Sequence, residues 1–386
     1  MDGVVRVLEF TIGAREFTGI ASFLYQYYKR IDRNRVRLDF FFCRQNSMDL
    51  VKDDVIFDNS KFFVLNAIKG HNSDNDYYKV YHELVRLLSD NRYDVLHINT
   101  YRVFFNLIAI AAGKRAGVKT IISHSHNVVD ESTAVGIKNR IKKVMQSLCS
   151  CFIRNNADCL FACSKGAGEV LFGKKGVDSD KFHVVKNAID SEKYIYTSGK
   201  HVLIRKRENI SSSTFLLGQV GRLTYQKNQT FTLNVFSEIL QKIPDAELWL
   251  IGVGEDTDKL IKKAVEMDIS NHIHFFGQRK DVHKLMVAMN ALLLPSTYEG
   301  LGIVAIEAQA AGLPTYASTG IPTETHITDL ISYMPLSDGP KKWAKYILED
   351  LPKHKRRDTH QEIIDHGYDI VTAAKWLEDF YCSKRK

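Results

Sequence analysis

The chain has 386 residues, 45% hydrophobic and 25% charged, which is ample for two packed cores and excludes a disordered or fibrous chain. No run approaches the ~20 apolar residues of a membrane span, and the opening M-D-G-V-V-R-V-L-E-F-T-I-G lacks the apolar core and cleavage site of a signal peptide, so a cytoplasmic location is expected. The formal net charge of +8 implies an anionic partner: nucleotide, phospholipid or nucleic acid, the last least supported because no nucleic-acid-binding module is recognisable.

In chain order, residues 4–10 read as a strand, 11–19 as a loop, and 20–31 as a helix with Phe23, Leu24 and Tyr27 in phase. Strand patterns recur at 38–43, 62–65, 95–98 and 120–123 with helical patterns between them, which argues for a parallel sheet. His97 stands at the tip of one strand, and His124 and His126 lie at or just past the end of the next. Residues 135–153 are amphipathic: Ile137, Ile141, Val144, Met145, Leu148 and Phe152 form one stripe, with Lys138, Arg140, Lys142 and Lys143 off it. That pattern fits a solvated helix face or a surface that meets anionic lipid. Residues 158–165 give another strand, ending at Ser164, and 193–213 is polar and weakly periodic, with a hinge expected near its start. The six cysteines show neither zinc spacing nor a disulfide pattern and read as reduced, mostly buried small residues.

The second half opens with a strand at 214–220, then Gly221-Arg222-Leu223-Thr224-Tyr225-Gln226-Lys227-Asn228 and a helix to about residue 243. Arg222 and Lys227 in such a loop suit a diphosphate, one as a planar cation and one as a flexible cation. Strands at 247–252 and 272–277 follow, the second running into Gln278-Arg279-Lys280-Asp281. The apolar run 291–294 then breaks at Pro295 into a glycine-containing turn, and helical spacing starts at about Gly302, with Ile303, Ile306 and Ala310 on one face and Gly312-Leu313-Pro314 as a stop. Glu299 therefore falls in a loop at a strand's carboxyl end and Glu307 in the second turn of the next helix. In open α/β sheets ligands bind in that crevice. A carboxylate near the helix start can accept two hydrogen bonds from a vicinal diol, as on ribose. One in the loop can meet sugar hydroxyls, and the amides of Gly300, Leu301 and Gly302 face the same space. Taken alone, the two acids are also what the helix dipole favours at a helix start.

The whole of residues 295–314, P-S-x-x-E-G-x-x-x-x-x-x-E-A-x-A-x-G-x-P, closely resembles the donor-site signature of family-4 retaining glycosyltransferases, and G-R-x-x-x-x-K-N matches that family's diphosphate-binding element. The resemblance implies an α/β fold of two Rossmann-like domains facing each other across a cleft, the GT-B architecture. The domains would be an acceptor-binding domain at 1–193, a nucleotide-sugar domain at 194–365, and a last helix at 366–386 that crosses back to the first domain, anchored by Trp376. It also implies the site: Arg222 and Lys227 on the diphosphate, Gly19 beside the donor phosphates, and Arg279 near the base. Gly300, Leu301, Gly302 and Glu307 would bind the donor, Glu299 and His126 would act at the sugar, and His124 is the reserve for His126. Two positions depart from the family pattern: Thr18 replaces one of a glycine pair, and Ala188 replaces a glycine in the run N-A-I-D.

The implied activity is transfer of a hexose from a nucleotide sugar, UDP-linked by family habit, to a lipid-linked saccharide, with retention of configuration and no cofactor or metal. The wording of 162–173, A-C-S-K-G-A-G-E-V-L-F-G, is most similar to bacterial capsular and exopolysaccharide transferases, which implies peripheral contact with the inner membrane face. Asp-x-Asp at Asp74/Asp76, Asp178/Asp180 and Asp256/Asp258 is the competing signal for a metal-dependent transferase; only the third follows a strand. A UDP-sugar epimerase on the same architecture and a noncatalytic partner subunit are the alternative readings.

Overall fold

The structure, a computed structural model, describes residues 3–12, 19–43, 60–65, 76–100, 102–126 and 137–385, the side chains of 137–143 excepted. Thr18, Asp74 and the side chains of Lys138, Arg140, Lys142 and Lys143 lie outside the described residues. The chain divides into two compact units, Met1–Ala188 with Ile370–Lys386, and Ile189–Asp369.

Unit one is built on seven parallel strands: β1 (Val5–Thr11), β2 (Val36–Phe42), β3 (Phe62–Val64), β4 (Val95–Asn99), β5 (Thr120–Ser125), β6 (Cys159–Ala162) and β7 (Phe182–Val184), in the order β3-β2-β1-β4-β5-β6-β7. The order reverses at β1, so the crevice of this doubly wound sheet opens at the carboxyl ends of β1 and β4. Side chains alternate along a strand, which puts Val5 and Val7 with Val95, Ile122, Cys159 and Phe161 on one face. That face is covered by helices Gly19–Arg30, through Phe23, Leu24 and Tyr27, and Ile370–Ser383.

The last helix is seated by Ile370, Ala374, Leu377 and Tyr381, each at most 1% exposed. Trp376, the residue expected to anchor it, is 41% exposed and rests at the rim against Phe380 and Phe161. Glu378 is buried as well. It accepts from the Asp32 amide at 2.9 Å and pairs with Arg35 and Lys375.

Helix Ile137–Asn156 turns Cys149 and Ile153 inward, whereas Val144, Met145, Leu148 and Phe152 of the apolar stripe face solvent. Among the described residues no helix is long and apolar enough to cross a membrane. Four cysteines are buried (Cys43, Cys149, Cys159 and Cys163), whereas Cys151 is exposed and Cys382 half-buried.

Unit two carries six parallel strands, β8 (Leu216–Val220), β9 (Glu247–Ile251), β10 (Ile273–Gly277), β11 (Ala291–Leu294), β12 (Thr315–Ser318) and β13 (Ile331–Met334), in the order β10-β9-β8-β11-β12-β13. β8 lies between β9 and β11, so the reversal falls there and the two loops with the richest motifs leave adjacent strands. The polar stretch after residue 193 is more regular than its sequence suggests. Helix Ser198–Arg207 is capped by Thr197, whose Oγ1 accepts from the Lys200 amide at 3.1 Å. It is held inward by buried Arg205, which donates to the carbonyls of Ser211, Thr214 and Ala288. An arginine in place of an apolar anchor hides the helical period.

Candidate active site

At the reversal point of unit two the loops after β8 and β11 are tied to each other. The Thr297 amide donates to the Gln226 carbonyl at 2.8 Å and Gln226 Nε2 donates to the Tyr298 carbonyl at 3.0 Å. From below, Gln219 Nε2 donates to the Lys227 carbonyl at 2.7 Å, and Gln229 Nε2 donates to the Arg222 carbonyl at 2.8 Å. The neighbouring loop after β9 packs so closely that a Cβ on Gly252, at φ +144°, would lie 2.0 Å from the Gly221 oxygen. A loop held on both sides keeps its cations at fixed positions without spending ligand-binding energy to order them.

The central contact is an ion pair that the spacing did not reveal: Lys227 Nζ meets Glu299 Oε1, with only 16% and 8% of the two side chains exposed. Buried Ser296 donates to the same oxygen at 2.7 Å, and the Glu299 amide donates to the Gly320 carbonyl at 3.0 Å. Arg222 is the outer cation, more than half exposed and 3.5 Å from Glu255.

Glu307 lies in helix Ile303–Ala310, which begins after Gly302 at φ +81°; the buried Leu301 backs that turn. Burial pushes the Glu307 carboxyl up to about 7, against the opposing pulls of a hydrogen bond from Tyr194 and the charge of Lys227. Tyr194 Oη donates to Glu307 Oε1 at 2.9 Å, and its own phenol is held well above the usual range by burial and by that carboxylate.

Arg279 follows β10, two strands from β8. It binds Asp281 through both carboxylate oxygens, at 2.8 and 3.0 Å, and these bonds hold the Asp281 carboxyl down to about 2. Gly19 opens its helix, and a Cβ there would meet no described atom within 4 Å.

In unit one His126 lies just past β5, with Nε2 2.9 Å from Asn99 Oδ1. His124 ends up fully buried, between His97 (Nδ1 to Nε2, 3.1 Å) and the edge of Phe23. Burial depresses both rings, His126 to about 3 and His124 well below its ordinary value, so both are neutral at pH 7. Asn99 donates to Glu9 Oε2 at 2.6 Å, and Tyr381 of the last helix donates to Glu9 Oε1 at 2.9 Å. Glu9, Asn99, Tyr381, Tyr194 and Ser296 are the polar partners that sequence reading missed. The clue was present in one place only: an acid two residues after Val7, and so on the same face as Val5 and Val7, in the strand V-R-V-L-E-F-T.

Among the described residues no group of three or more His, Cys, Asp or Glu converges as a cation site. Asp76 caps helix Tyr77–Asn91, accepting from the Lys79 amide at 2.9 Å, and Asp256 and Asp258 begin helix Thr257–Glu266.

Residues 17–193 match the family model described as Glycosyltransferase Family 4, and residues 202–329 match Glycosyl transferases group 1. EpsF of Bacillus subtilis, named as a glycosyltransferase, is 25% identical over 91% of this chain and 90% of its own length. The UDP-Gal:alpha-D-GlcNAc-diphosphoundecaprenol alpha-1,3-galactosyltransferase of Escherichia coli is 26% identical over 61% of this chain and 60% of its own. Among solved structures, HepE of Anabaena in complex with UDP superposes with a TM-score of 0.77 at 17% identity, over 98% of this chain and 100% of that one. WaaG, a glycosyltransferase involved in lipopolysaccharide biosynthesis, superposes with a TM-score of 0.71 at 15% identity, over 97% and 99%. At such identities the structures establish likeness of fold.

Proposed function

Given that the chain is a family-4 glycosyltransferase with the GT-B fold, we propose that it moves a hexose from a UDP-sugar to a lipid-linked saccharide, with retention of configuration and without a metal ion. The observation that carries this reading is the meeting of Lys227, Glu299, Ser296 and Glu307 around the two tied loops of unit two. The relative solved with UDP and the relative named for a diphosphoundecaprenol acceptor support the choice of donor and acceptor class.

Breaking the anomeric bond leaves charge on the departing diphosphate, and groups already in place stabilise it without reorganisation. Lys227 and Arg222 supply that positive charge in place of a divalent ion, and the amides of Gly300, Leu301 and Gly302 add donors at the helix start. Glu307 takes the ribose diol and Arg279 stands by the base. Glu299 orients the sugar while holding Lys227, and His126 accepts a hydrogen bond from a hydroxyl of the sugar. The acceptor attacks from the face the diphosphate leaves, which gives retention without a covalent intermediate.

The exposed stripe Val144, Met145, Leu148 and Phe152 gives the chain a peripheral seat on a bilayer.

The test is a panel of nucleotide sugars, scoring nucleotide release with and without a lipid-linked acceptor, in EDTA and in Mg²⁺. Acceptor-dependent release in EDTA is expected. Isomerised donor without acceptor would make the protein an epimerase, and loss of turnover in EDTA would make it metal-dependent.

A further inference from the structure

Strand alternation places Glu9 on β1, His97 and Asn99 on β4 and His124 on β5 over the same face of the sheet, with Glu9 paired to His97 and Asn99 to His124 across the strands. These residues occupy the carboxyl-terminal half of a face whose other half is apolar, and Tyr381 closes over them. All are at most 3% exposed except His126, which is half-buried.

The directions of the hydrogen bonds follow from Glu9. Its two oxygens meet two different donors, Asn99 Nδ2 at 2.6 Å and Tyr381 Oη at 2.9 Å. An amide oxygen turned towards the carboxylate would set two acceptors against each other, so Asn99 must present Oδ1 to His126, and His126 must carry its proton on Nε2. On the other arm, Tyr381 has spent its only proton on Glu9 and accepts from His97 Nδ1 at 2.6 Å. His97 Nε2 is then the acceptor for His124 Nδ1 at 3.1 Å. Each arm ends on a ring nitrogen with a lone pair: His126 Nδ1 and His124 Nε2. These two nitrogens are buried and have no hydrogen-bond partner among the described residues.

We propose that Glu9, acting through Asn99, is a positioning residue that fixes the tautomer of His126 and so offers Nδ1 as an acceptor to a hydroxyl of the donor sugar. This rests on the reading above that His126 serves the donor. An imidazole free to choose its tautomer would present a donor part of the time, and a sugar hydroxyl would then meet the wrong partner. Fixing a ring's tautomer through a carboxylate is a recognised lever on transfer reactions.

The network also predicts its own repair. In Glu9→Gln the side chain must donate along one arm, which reverses either Asn99 and His126 or Tyr381, His97 and His124. In Asn99→Asp two carboxylates face each other. The double variant Glu9→Gln/Asn99→Asp is isosteric with the parent and keeps one carboxylate, moved from position 9 to position 99. The new amide nitrogen at position 9 donates to that carboxylate, which also accepts from His126 Nε2. The new amide oxygen at position 9 accepts from Tyr381. Both arms then regain their parental direction beyond the exchanged pair.

The experiment reads imidazole tautomers by long-range ¹⁵N correlation on the whole chain, alongside UDP affinity and the transfer rate from UDP-sugar. Parental His126 should carry its proton on Nε2. Asn99→Asp and Glu9→Gln should each lower transfer by about tenfold or more with UDP affinity unchanged, and the double variant should recover to within about threefold of the parent. A proton on Nδ1 of parental His126 overturns the proposal without any variant. So does a double variant that folds, by its melting curve, yet transfers no faster than the singles. If the tautomers follow the prediction while the parent consumes no nucleotide sugar, the network stands and the glycosyl-transfer reading is what fails.

Discussion

In unit two the candidate groups stand on loops: Arg222, Lys227 and Glu299 all lie past the last residue of their strands. In unit one Glu9, His97, Asn99 and His124 are themselves strand residues, lying within the sheet. The two settings impose different chemistry. Loop groups can hold full charges, because a cation and a carboxylate from adjacent loops meet at the edge of the fold. Within the sheet a charge costs far more, so in this cluster the one carboxylate, Glu9, is surrounded by uncharged side chains that fix the bond directions. Unit two is thus suited to stabilising charge and unit one to setting hydrogen-bond polarity.

The largest effect should follow from breaking the charge side. Lys227→Ala should lower turnover by about 10²–10³-fold, the size of losing one preorganised donor to a departing oxyanion. It also leaves Glu299 buried without its cation, so Mg²⁺ in the assay should not restore the rate. Restoration by Mg²⁺ would show that a divalent ion can work at this site, and would overturn the metal-free reading.

Glu307 tests whether charge in unit two is held in reserve. With its carboxyl pushed up to about 7, the unliganded group is half protonated near neutrality, while a ribose diol prefers the carboxylate. Affinity for uridine, which has the diol and no titrating phosphate, should therefore rise through pH 7 and level off above about 8. Glu307→Gln should remove that dependence and weaken binding by roughly tenfold or more. Tyr194→Phe removes a bond that favours the carboxylate, so the midpoint should move up. The sign for stability is opposite. The folded value lies above the ordinary 4.5, so the contribution of this group is fully present below that value and is lost as pH rises through about 7. Calorimetry with uridine at several pH values decides the binding claim, and a flat profile in the parent would end it.

These effects trace to what the sequence could and could not carry. G-R-x-x-x-x-K-N and P-S-x-x-E-G are contiguous because each is one loop, and a loop is local in sequence. Ser296 and Glu299 fall in the same one, yet the pairing of Lys227 with Glu299 spans 72 residues and depends on β8 lying beside β11. Tyr194 reaches Glu307 across 113 residues, and Tyr381 reaches Glu9 across 372. No periodicity encodes such partners. The last helix shows the limit at finer grain. The anchor expected from the sequence is Trp376, whereas the seated face is Ile370, Ala374, Leu377 and Tyr381. That face brings a phenol hydroxyl to a buried carboxylate, a polar requirement that a count of apolar residues does not contain. In helix Ile137–Asn156 the period correctly marks an apolar stripe but not which way it faces, and Val144, Met145, Leu148 and Phe152 face out.

That exposed stripe separates the units in a third way. Val144→Ser/Leu148→Ser should weaken sedimentation with anionic vesicles by roughly tenfold, since two side chains that would enter the interface lose most of their transfer energy. Because the stripe belongs to unit one, uridine affinity should stay at the parental value. The rate with a lipid-linked acceptor should fall more than the rate with a short water-soluble analogue. Unchanged sedimentation would make the stripe an ordinary exposed face.

The smallest effect is the most selective. Tyr381→Phe deletes one hydroxyl and leaves the ring packed in a site that is fully buried. The loss strips Glu9 Oε1 of its donor and leaves His97 Nδ1 facing Glu9 Oε2, 3.4 Å away, while the bonds of Asn99 to Glu9 and His126 stay in place. One buried hydrogen bond between neutral and charged groups is worth about 1.5–3 kcal/mol, and in a unit of this size each kcal/mol moves the melting temperature by roughly 2–4 °C. The melt should therefore fall by several degrees while transfer stays within about twofold, because His126 keeps its Asn99 bond and its tautomer. Glu9→Gln should show the reverse balance, a modest melting shift with a large loss of rate. If Tyr381→Phe costs as much activity as Glu9→Gln, the two arms are not independent, and hydrogen-bond polarity in unit one is set by the whole cluster rather than by the path through Asn99.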